Sequence, residues 1–301
     1  MGPYWPTGAT IPAMKSFKGK GVVITGAASG IGEALARNLA AQGARLLLAD
    51  VDTGRLDAVV TELRAGGADC LAQTCDVADA AAVQALADTA LQAWGGADVV
   101  VNNAGVGLVA PVQSLDLADA HWLMAINFWG VVHGCRAFIP QLQARPGSVI
   151  VNISSIFAMV SMPTQSIYNA SKAAVRGFSD ALREELRESG VRVLCVHPGG
   201  IQTRIAQQAR LGDISAVADT PQALHAQFDQ AARTTAPQAA QAIVQALQSG
   251  RTRLLIGADA KLGDLLYRLW PTRVAPWLSA LARRMRQRRQ RAERTPPDGL
   301  Q

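Results

Sequence analysis

Tyr168 and Lys172 stand four residues apart in the run Tyr168-Asn169-Ala170-Ser171-Lys172, a spacing that sets a phenol and an ammonium on one side of a helix. A phenol so placed can protonate a carbonyl oxygen during reduction, or take the proton of an alcohol during oxidation. Its ordinary pKa of about 10 is too high for a base at neutral pH, and a neighbouring cation such as Lys172 lowers it by favouring phenolate. For the pair taken alone, an amphipathic helix that happens to carry Tyr and Lys at this spacing is the plain alternative. Ser155 lies thirteen residues upstream, and its hydroxyl could bind the reacting oxygen and steady developing negative charge; Ser154 competes for that role. Asn127, in Ile126-Asn127-Phe128-Trp129-Gly130, is an amide in an otherwise apolar helical stretch. A buried amide needs partners; a water held against Lys172 would be one, helix backbone alone the other.

These groups are far apart in the chain and need a frame that gathers them. Seven apolar runs are strand candidates: Val22-Val23-Ile24, Leu46-Leu47-Leu48, Leu71-Ala72-Gln73-Thr74, Val99-Val100-Val101, Val149-Ile150-Val151, Val193-Leu194-Cys195-Val196 and Leu254-Leu255-Ile256. Near-continuous apolar strands imply burial on both faces, and stretches of helical composition such as Ile31 to Ala41 and Ala80 to Trp94 alternate with them. The expected fold class is α/β, a doubly wound parallel sheet of about seven strands in a single domain. Ligands of such sheets bind at the carboxyl ends of the strands, and the informative motifs all follow strands.

Thr25-Gly26-Ala27-Ala28-Ser29-Gly30-Ile31-Gly32 follows the first strand and leads into a helix. Glycines let the chain turn tightly and approach a pyrophosphate resting on the helix N-terminus; a purely structural turn is the alternative. The spacing is G-x-x-x-G-x-G rather than G-x-G-x-x-G. Asp50 ends the second strand, 24 residues after Gly26. A carboxylate there can accept hydrogen bonds from both adenosine ribose hydroxyls and would repel the 2′-phosphate of NADP. No arginine or lysine lies within the glycine turn to offset it. NAD is therefore the expected cofactor, NADP the less favoured one. Asp50 could instead cap the next helix, although Asp52 is better placed to do so. Asp76-Val77, after the third strand, could meet the adenine edge, and Asn102-Asn103-Ala104-Gly105, after the fourth, would let backbone pass close to the cofactor. The positive charge of an oxidised nicotinamide would join Lys172 in lowering the tyrosine pKa.

In order and spacing, Thr25-Gly26-x-x-x-Gly30-x-Gly32, Asn102-Asn103-Ala104-Gly105, Asn127, Ser155, Tyr168-x-x-x-Lys172 and Pro198-Gly199 resemble the short-chain dehydrogenase/reductase family, from about residue 18 to about residue 257. The resemblance implies a Rossmann-like sheet and an Asn–Ser–Tyr–Lys tetrad. Tyr168 is then the acid/base, Ser155 positions the substrate, Lys172 holds the nicotinamide ribose and lowers the tyrosine pKa, and Asn127 anchors a proton-relay water. It further implies cofactor contacts at Gly26, Ser29, Gly30, Ile31, Gly32, Asp50, Asp76, Val77, Asn103, Ala104, Gly105, Pro198 and Gly199, together with Tyr168 and Lys172. The Ile201 backbone and the Thr203 hydroxyl would meet the carboxamide and the pyrophosphate. Family members commonly form dimers or tetramers through the helices that carry the Asn127 and Tyr168 positions, so a homo-oligomer is expected. One departure bears on the substrate: where the family often has glycine shortly after the catalytic serine, this chain has Phe157-Ala158.

The chain has 301 residues, room for one large α/β domain. The expected division is a loose leader over 1–17, in which Met14 offers a second start, a dehydrogenase domain over 18–257 with a substrate lid at 204–233, and an extension over 258–301. The opening stretch lacks the apolar core of a secretory signal, and no apolar run is long enough to span a bilayer; a cytoplasmic enzyme is expected. Four cysteines and four histidines show no metal-ligand spacing, so no metal is expected. Residues 283–294 hold seven arginines and one glutamate, a local charge equal to the +6 of the whole chain. A balanced body argues against nucleic-acid work. Leu262, Leu265, Leu266, Leu269 and Trp270, then Trp277, Leu278 and Leu281, precede that cationic tail, a pattern suited to peripheral contact with an anionic membrane. Packing against the body or a partner subunit is the other use for them. Ile205, Leu211, Ile214, Val217, Leu224 and Phe228 in the lid, with Phe157, Met159, Val160 and Met162, suggest apolar pocket walls and a lipophilic secondary alcohol or ketone as the small-molecule substrate. The rival readings are an NADPH-dependent 3-ketoacyl reductase and a non-catalytic dinucleotide-binding protein.

Overall fold

Each of the seven apolar runs forms a strand. In the computed structural model, which describes residues 13–215, 217–277 and 280, these are β1 (Gly21–Thr25), β2 (Arg45–Asp50), β3 (Cys70–Thr74), β4 (Val99–Asn102), β5 (Val149–Ile153), β6 (Arg192–Pro198) and β7 (Arg253–Ile256). All pair in parallel, in the order β7-β6-β5-β4-β1-β2-β3. The order reverses between β1 and β4, and that switch opens a crevice at the strands' carboxyl ends.

Helices α1 (Gly30–Ala40), α2 (Thr53–Ala65) and α8 (Ala236–Gln248) cover one face, and α3 (Ala80–Trp94), α5 (Gly130–Gln143) and α6 (Ser166–Glu185) cover the other. Successive strand residues serve opposite cores, as the two-residue period requires: Val22 and Ile24 pack with Leu35, Leu39 and Ile243, whereas Val23 packs with Leu86, Phe138 and Val175. The central strands β1, β4, β5 and β6 are buried along their whole length. The outermost strand β3 alternates buried Cys70 with more exposed positions, which is how an edge strand departs from a continuous apolar run.

Helix starts follow their caps. Asp52, not Asp50, caps α2 through the Arg55 N–H, as expected; Asp79 caps α3, and Asp116 caps α4 (Leu117–Met124). The expected loose leader needs correction at its end: Met14 is 7% and Phe17 1% exposed, both inside the α1–α8 core, and the Met14 N–H donates to Leu247 O. An apolar residue next to an unfilled core position is pulled in. Residues 1–12, the arginine-rich segment, Leu278 and Leu281 lie outside the described residues.

Beyond β6 the chain forms α7 (Pro221–Ala231) and two short parallel ladders, Leu108–Val109 with Arg210–Leu211 and Ile201–Gln202 with Thr234–Thr235. After β7 comes α9 (Ala258–Leu269), whose Ala260 and Leu266 pack with Ile156 and Val160.

Candidate active site

The glycine turn is fixed by what its Cβ atoms would strike. Gly26 and Gly30 have φ of +63° and +57°, a region costly for other residues. A Cβ on Gly32 would overlap the Gly26 carbonyl oxygen, one on Gly26 would come within 2.7 Å of Ala104 Cα, and one on Gly30 within 3.0 Å of the Thr203 methyl. The turn, the Asn103-Ala104 corner and Thr203 are therefore pressed together. Thr25 Oγ1 accepts from the N–H groups of Asn103 and Ala104, and Asn103 Nδ2 donates to the carbonyls of Thr25 and Gly26. The Asn103 side chain is thus spent on the turn and shapes it. Ser29 stands at the N-cap of α1 with no side-chain cap bond, so the first-turn N–H groups of α1 face the crevice with the positive end of the helix dipole.

Asp50 is locked to this turn: one carboxylate oxygen accepts from Ala28 N at 2.9 Å, the other from Asp52 N at 3.0 Å. Asp76 is exposed and turns its carboxylate back onto Ala78 N. Val77 is buried against Gly130, and its carbonyl pairs with His133 Nδ1 at 2.9 Å. Together the glycine turn, α1 and Asp50 make a cradle that only glycine backbone leaves open, and it fits the pyrophosphate and ribose of a dinucleotide.

Across the switch, β5 ends at Ser154-Ser155 and α6 brings up Tyr168 and Lys172. Ser154 Oγ donates to Lys172 O and faces the helix backbone. Ser155 caps a short turn, its Oγ accepting from Phe157 N, and its hydroxyl favours ionisation of the nearby Tyr168 phenol. Lys172 is 3% exposed; its Nζ donates to Ile153 O at 3.1 Å and lies 5.8 Å from the Tyr168 ring centroid. A Cβ on Gly105 would sit 3.4 Å from Lys172 Nζ and 3.2 Å from Asn127 Oδ1, so all four polar groups converge where β4 and β5 end.

Asn127 does not bond to helix backbone alone. It lies in a π-helical turn, Ala125–Trp129, a widened turn frequent at functional sites. From there Oδ1 accepts from Val106 N, and Nδ2 donates to Val106 O and to Ser171 Oγ. A fully buried amide finds its partners in the β4 loop and ties that loop to α6. Burial pushes the Tyr168 phenol up to about 12, with Ser155 pulling the other way, and burial brings Lys172 down to about 8. Two buried groups without a counter-ion each favour the neutral form.

Several residues at this centre carried no signal in the sequence. His197 on β6 is 1% exposed, with Nδ1 3.3 Å from Ser155 O and Nε2 without a partner; burial, with Arg253 nearby, lowers its pKa to about 4. Asp259 accepts from Gly200 N at 2.6 Å and sits against Gly199, holding the Pro198-Gly199 corner, while Gly199 N donates to Ile256 O. Asn102, Asn152 and Ser179 form a buried chain of hydrogen bonds across β4, β5 and α6, and Gly134 leaves room for the Asn102 amide.

The expected pocket walls are redistributed. Met159 and Val160 are buried beneath α9, and Leu211, Ile214, Val217, Leu224 and Phe228 form a separate cluster around Val109 and Ala218. The apolar surroundings of Tyr168 come instead from Val106, Leu108, Trp122 and Ile167, with the Phe157 ring edge-on to it at 6.2 Å. A cavity of about 730 Å³ bounded by Phe157, Met162, Pro163, Asn169, Ala173 and Pro276 lies on the side of α6 away from Lys172, and is not this cleft. The four cysteines are buried and free, and no group of metal-ligating side chains occurs among the described residues.

The chain matches the short chain dehydrogenase family over residues 20–214. SadH of Mycobacterium tuberculosis is 42% identical over 259 residues, 85% of this chain and 92% of its own length. The 1-deoxy-11-beta-hydroxypentalenate dehydrogenase of Streptomyces avermitilis is 40% identical over 254 residues, 82% and 89% of the two chains. A short-chain dehydrogenase/reductase from Burkholderia phymatum, solved in complex with NAD, superposes with a TM-score of 0.74 at 32% identity, covering 96% of this chain and 100% of that one. A parallel seven-stranded sheet, a glycine turn at its switch point and a serine, tyrosine and lysine gathered beyond it accompany these matches: the chain belongs to the short-chain dehydrogenase/reductase family of oxidoreductases, which act on CH–OH groups with a nicotinamide dinucleotide.

Proposed function

We propose that the protein is an NAD-dependent dehydrogenase that interconverts a lipophilic secondary alcohol and its ketone, with Tyr168 as acid/base. The observation that carries this is the convergence of Ser155, Tyr168 and Lys172 at the ends of β4 and β5, with Ser155 lowering the Tyr168 pKa and Lys172 Nζ 5.8 Å from the Tyr168 ring centroid. The nicotinamide, when bound, supplies the carbon that accepts or gives the hydride. Ser155 holds the reacting oxygen next to the Tyr168 hydroxyl, which delivers a proton to it in reduction and removes one in oxidation. Lys172 donates to the ribose and faces the tyrosine; its charge, with that of the oxidised cofactor, opposes the burial that holds the phenol neutral. Asn127 fixes the Val106 loop at the entrance to that proton path.

NAD is preferred to NADP because Asp50 is held at the turn by Ala28 N, where a 2′-phosphate would meet a carboxylate. The lipophilic class rests on the apolar shell of Val106, Leu108, Trp122 and Ile167 around Tyr168, and a relative named for a hydroxypentalenate points the same way. Residues 204–233 act as the lid, and a homo-oligomer through α5 and α6 is part of the same reading; Trp129, just before α5, is 51% exposed.

The test is a panel of sterols, long-chain secondary alcohols and small polyols with NAD and with NADP, followed by absorbance of the reduced cofactor. Turnover confined to lipophilic alcohols with NAD is expected. Preference for polyols overturns the substrate class, and equal efficiency with NADP overturns the cofactor assignment. Tyr168→Phe should lower kcat by about 10³-fold while NAD binding persists; a variant that keeps its turnover removes Tyr168 from the chemistry.

A further inference from the structure

Helix α9 presents two unlike sides. Ala260 and Asp264 are buried, and Leu266 and Tyr267 pack toward Ile156 and Val160. Asp264 is clamped by Arg253 at 2.5 Å and Arg268 at 3.0 Å, which fixes the roll of the helix. Leu262, Leu265 and Leu269, spaced to share one stripe, face away at 56%, 53% and 56% exposure. Trp270 and Trp277 follow the helix and are also exposed, at 50% and 57%. These five account for half of the ten large hydrophobic side chains left most exposed among the described residues. Solvent-facing leucines so concentrated on one short helix mark a contact surface.

Charge selects the occupant. Lys261, Arg268 and Arg273 are exposed beside the stripe, and the chain that follows carries seven arginines against one glutamate over residues 283–294. A second copy of this surface would bring cations against cations. An anionic lipid surface offers an apolar interior for leucine, a polar boundary for tryptophan and counter-charge for arginine. No described helix is long and apolar enough to cross a bilayer, which leaves α9 lying in the interface. We propose that the Leu262–Leu265–Leu269 stripe with Trp270 and Trp277 docks the protein on anionic lipid, the arginine-rich segment adding attraction. The proposal does not depend on the substrate assignment.

The full-length chain is tested by co-sedimentation with phosphatidylcholine vesicles, with and without phosphatidylglycerol. Binding to the phosphatidylglycerol vesicles, weakened by salt, is expected, with little on phosphatidylcholine alone. Leu265→Glu/Leu269→Glu should weaken it on the order of tenfold or more, with an unchanged circular-dichroism spectrum and melting temperature as the sign of intact folding. A chain that stays in the supernatant with phosphatidylglycerol overturns the proposal. So does undiminished binding of the double variant, which would leave the arginines alone as the attachment. Loss of oligomer mass in the double variant without vesicle binding by the parent would make the stripe a subunit interface instead, and would equally overturn it.

Discussion

The two sides of the cleft are held by different kinds of constraint. On the nucleotide side, Gly26, Gly30 and Gly32 leave backbone against backbone, and Thr25 and Asn103 satisfy the peptide groups they meet. On the side proposed as a lid, contacts of residues 204–233 with the body include a two-residue ladder, Arg210 paired with Asp119 at 2.6 Å and the Arg210 guanidinium 3.8 Å over the Trp122 ring. Beyond the ladder these are side-chain contacts, and several residue types could replace them. The rigid side therefore admits one class of ligand, whereas the lid side can be remade for many substrates without disturbing the fold.

That contrast can be broken most directly at Gly32. Gly32→Ala forces the turn off the Gly26 carbonyl and should destabilise the protein by about 3 kcal/mol or more, with NAD affinity reduced beyond detection in a fluorescence titration. A variant that binds NAD normally would show that the turn is not rigid. Next in size is the floor beneath Ser155. His197 titrates near 4 when folded and near 6.5 when unfolded, so below about pH 6.5 the unfolded chain binds a proton that the folded one does not. Stability is full above that pH and falls by on the order of 3 kcal/mol as pH drops to about 4. Urea unfolding at stepped pH measures this, and His197→Gln should flatten the slope; an unchanged slope would assign it to other groups.

The smallest effect belongs to the lid. Arg210→Ala removes a partly exposed ion pair and one ring contact, and should raise KM about threefold with kcat unchanged or higher. A fall in kcat as large as that of Tyr168→Phe would mean the lid is as tightly specified as the glycine turn.

The same contrast governs what could be read in advance. Strands and the glycine turn were legible because continuous apolar runs and unsubstituted backbone leave few alternatives, and Asp52 as the α2 cap followed from its position alone. Ser155, Tyr168 and Lys172 were legible as residue types at meaningful spacing. The partners of Asn127 were not, because they depend on a π turn and on the Val106 loop arriving from elsewhere. His197 and Asp259 act through the backbone of Ser155 and Gly200, contacts between segments with no local pattern. The mutual packing of the apolar residues at 204–233 around Ala218 was not legible either, because composition does not say which neighbour an apolar side chain chooses. Nor does spacing reveal desolvation, the largest influence on the tyrosine pKa.

Asp259 sits one residue into α9, yet its carboxylate closes the corner after β6 by accepting from Gly200 N. A truncation that ended at the last strand would keep every residue of the tetrad and still release that corner, uncovering a peptide N–H that water would have to satisfy. The helix that follows the sheet is in this sense the final wall of the cleft, and whatever grips or tugs on it from outside is felt one hydrogen bond away from the site of reaction.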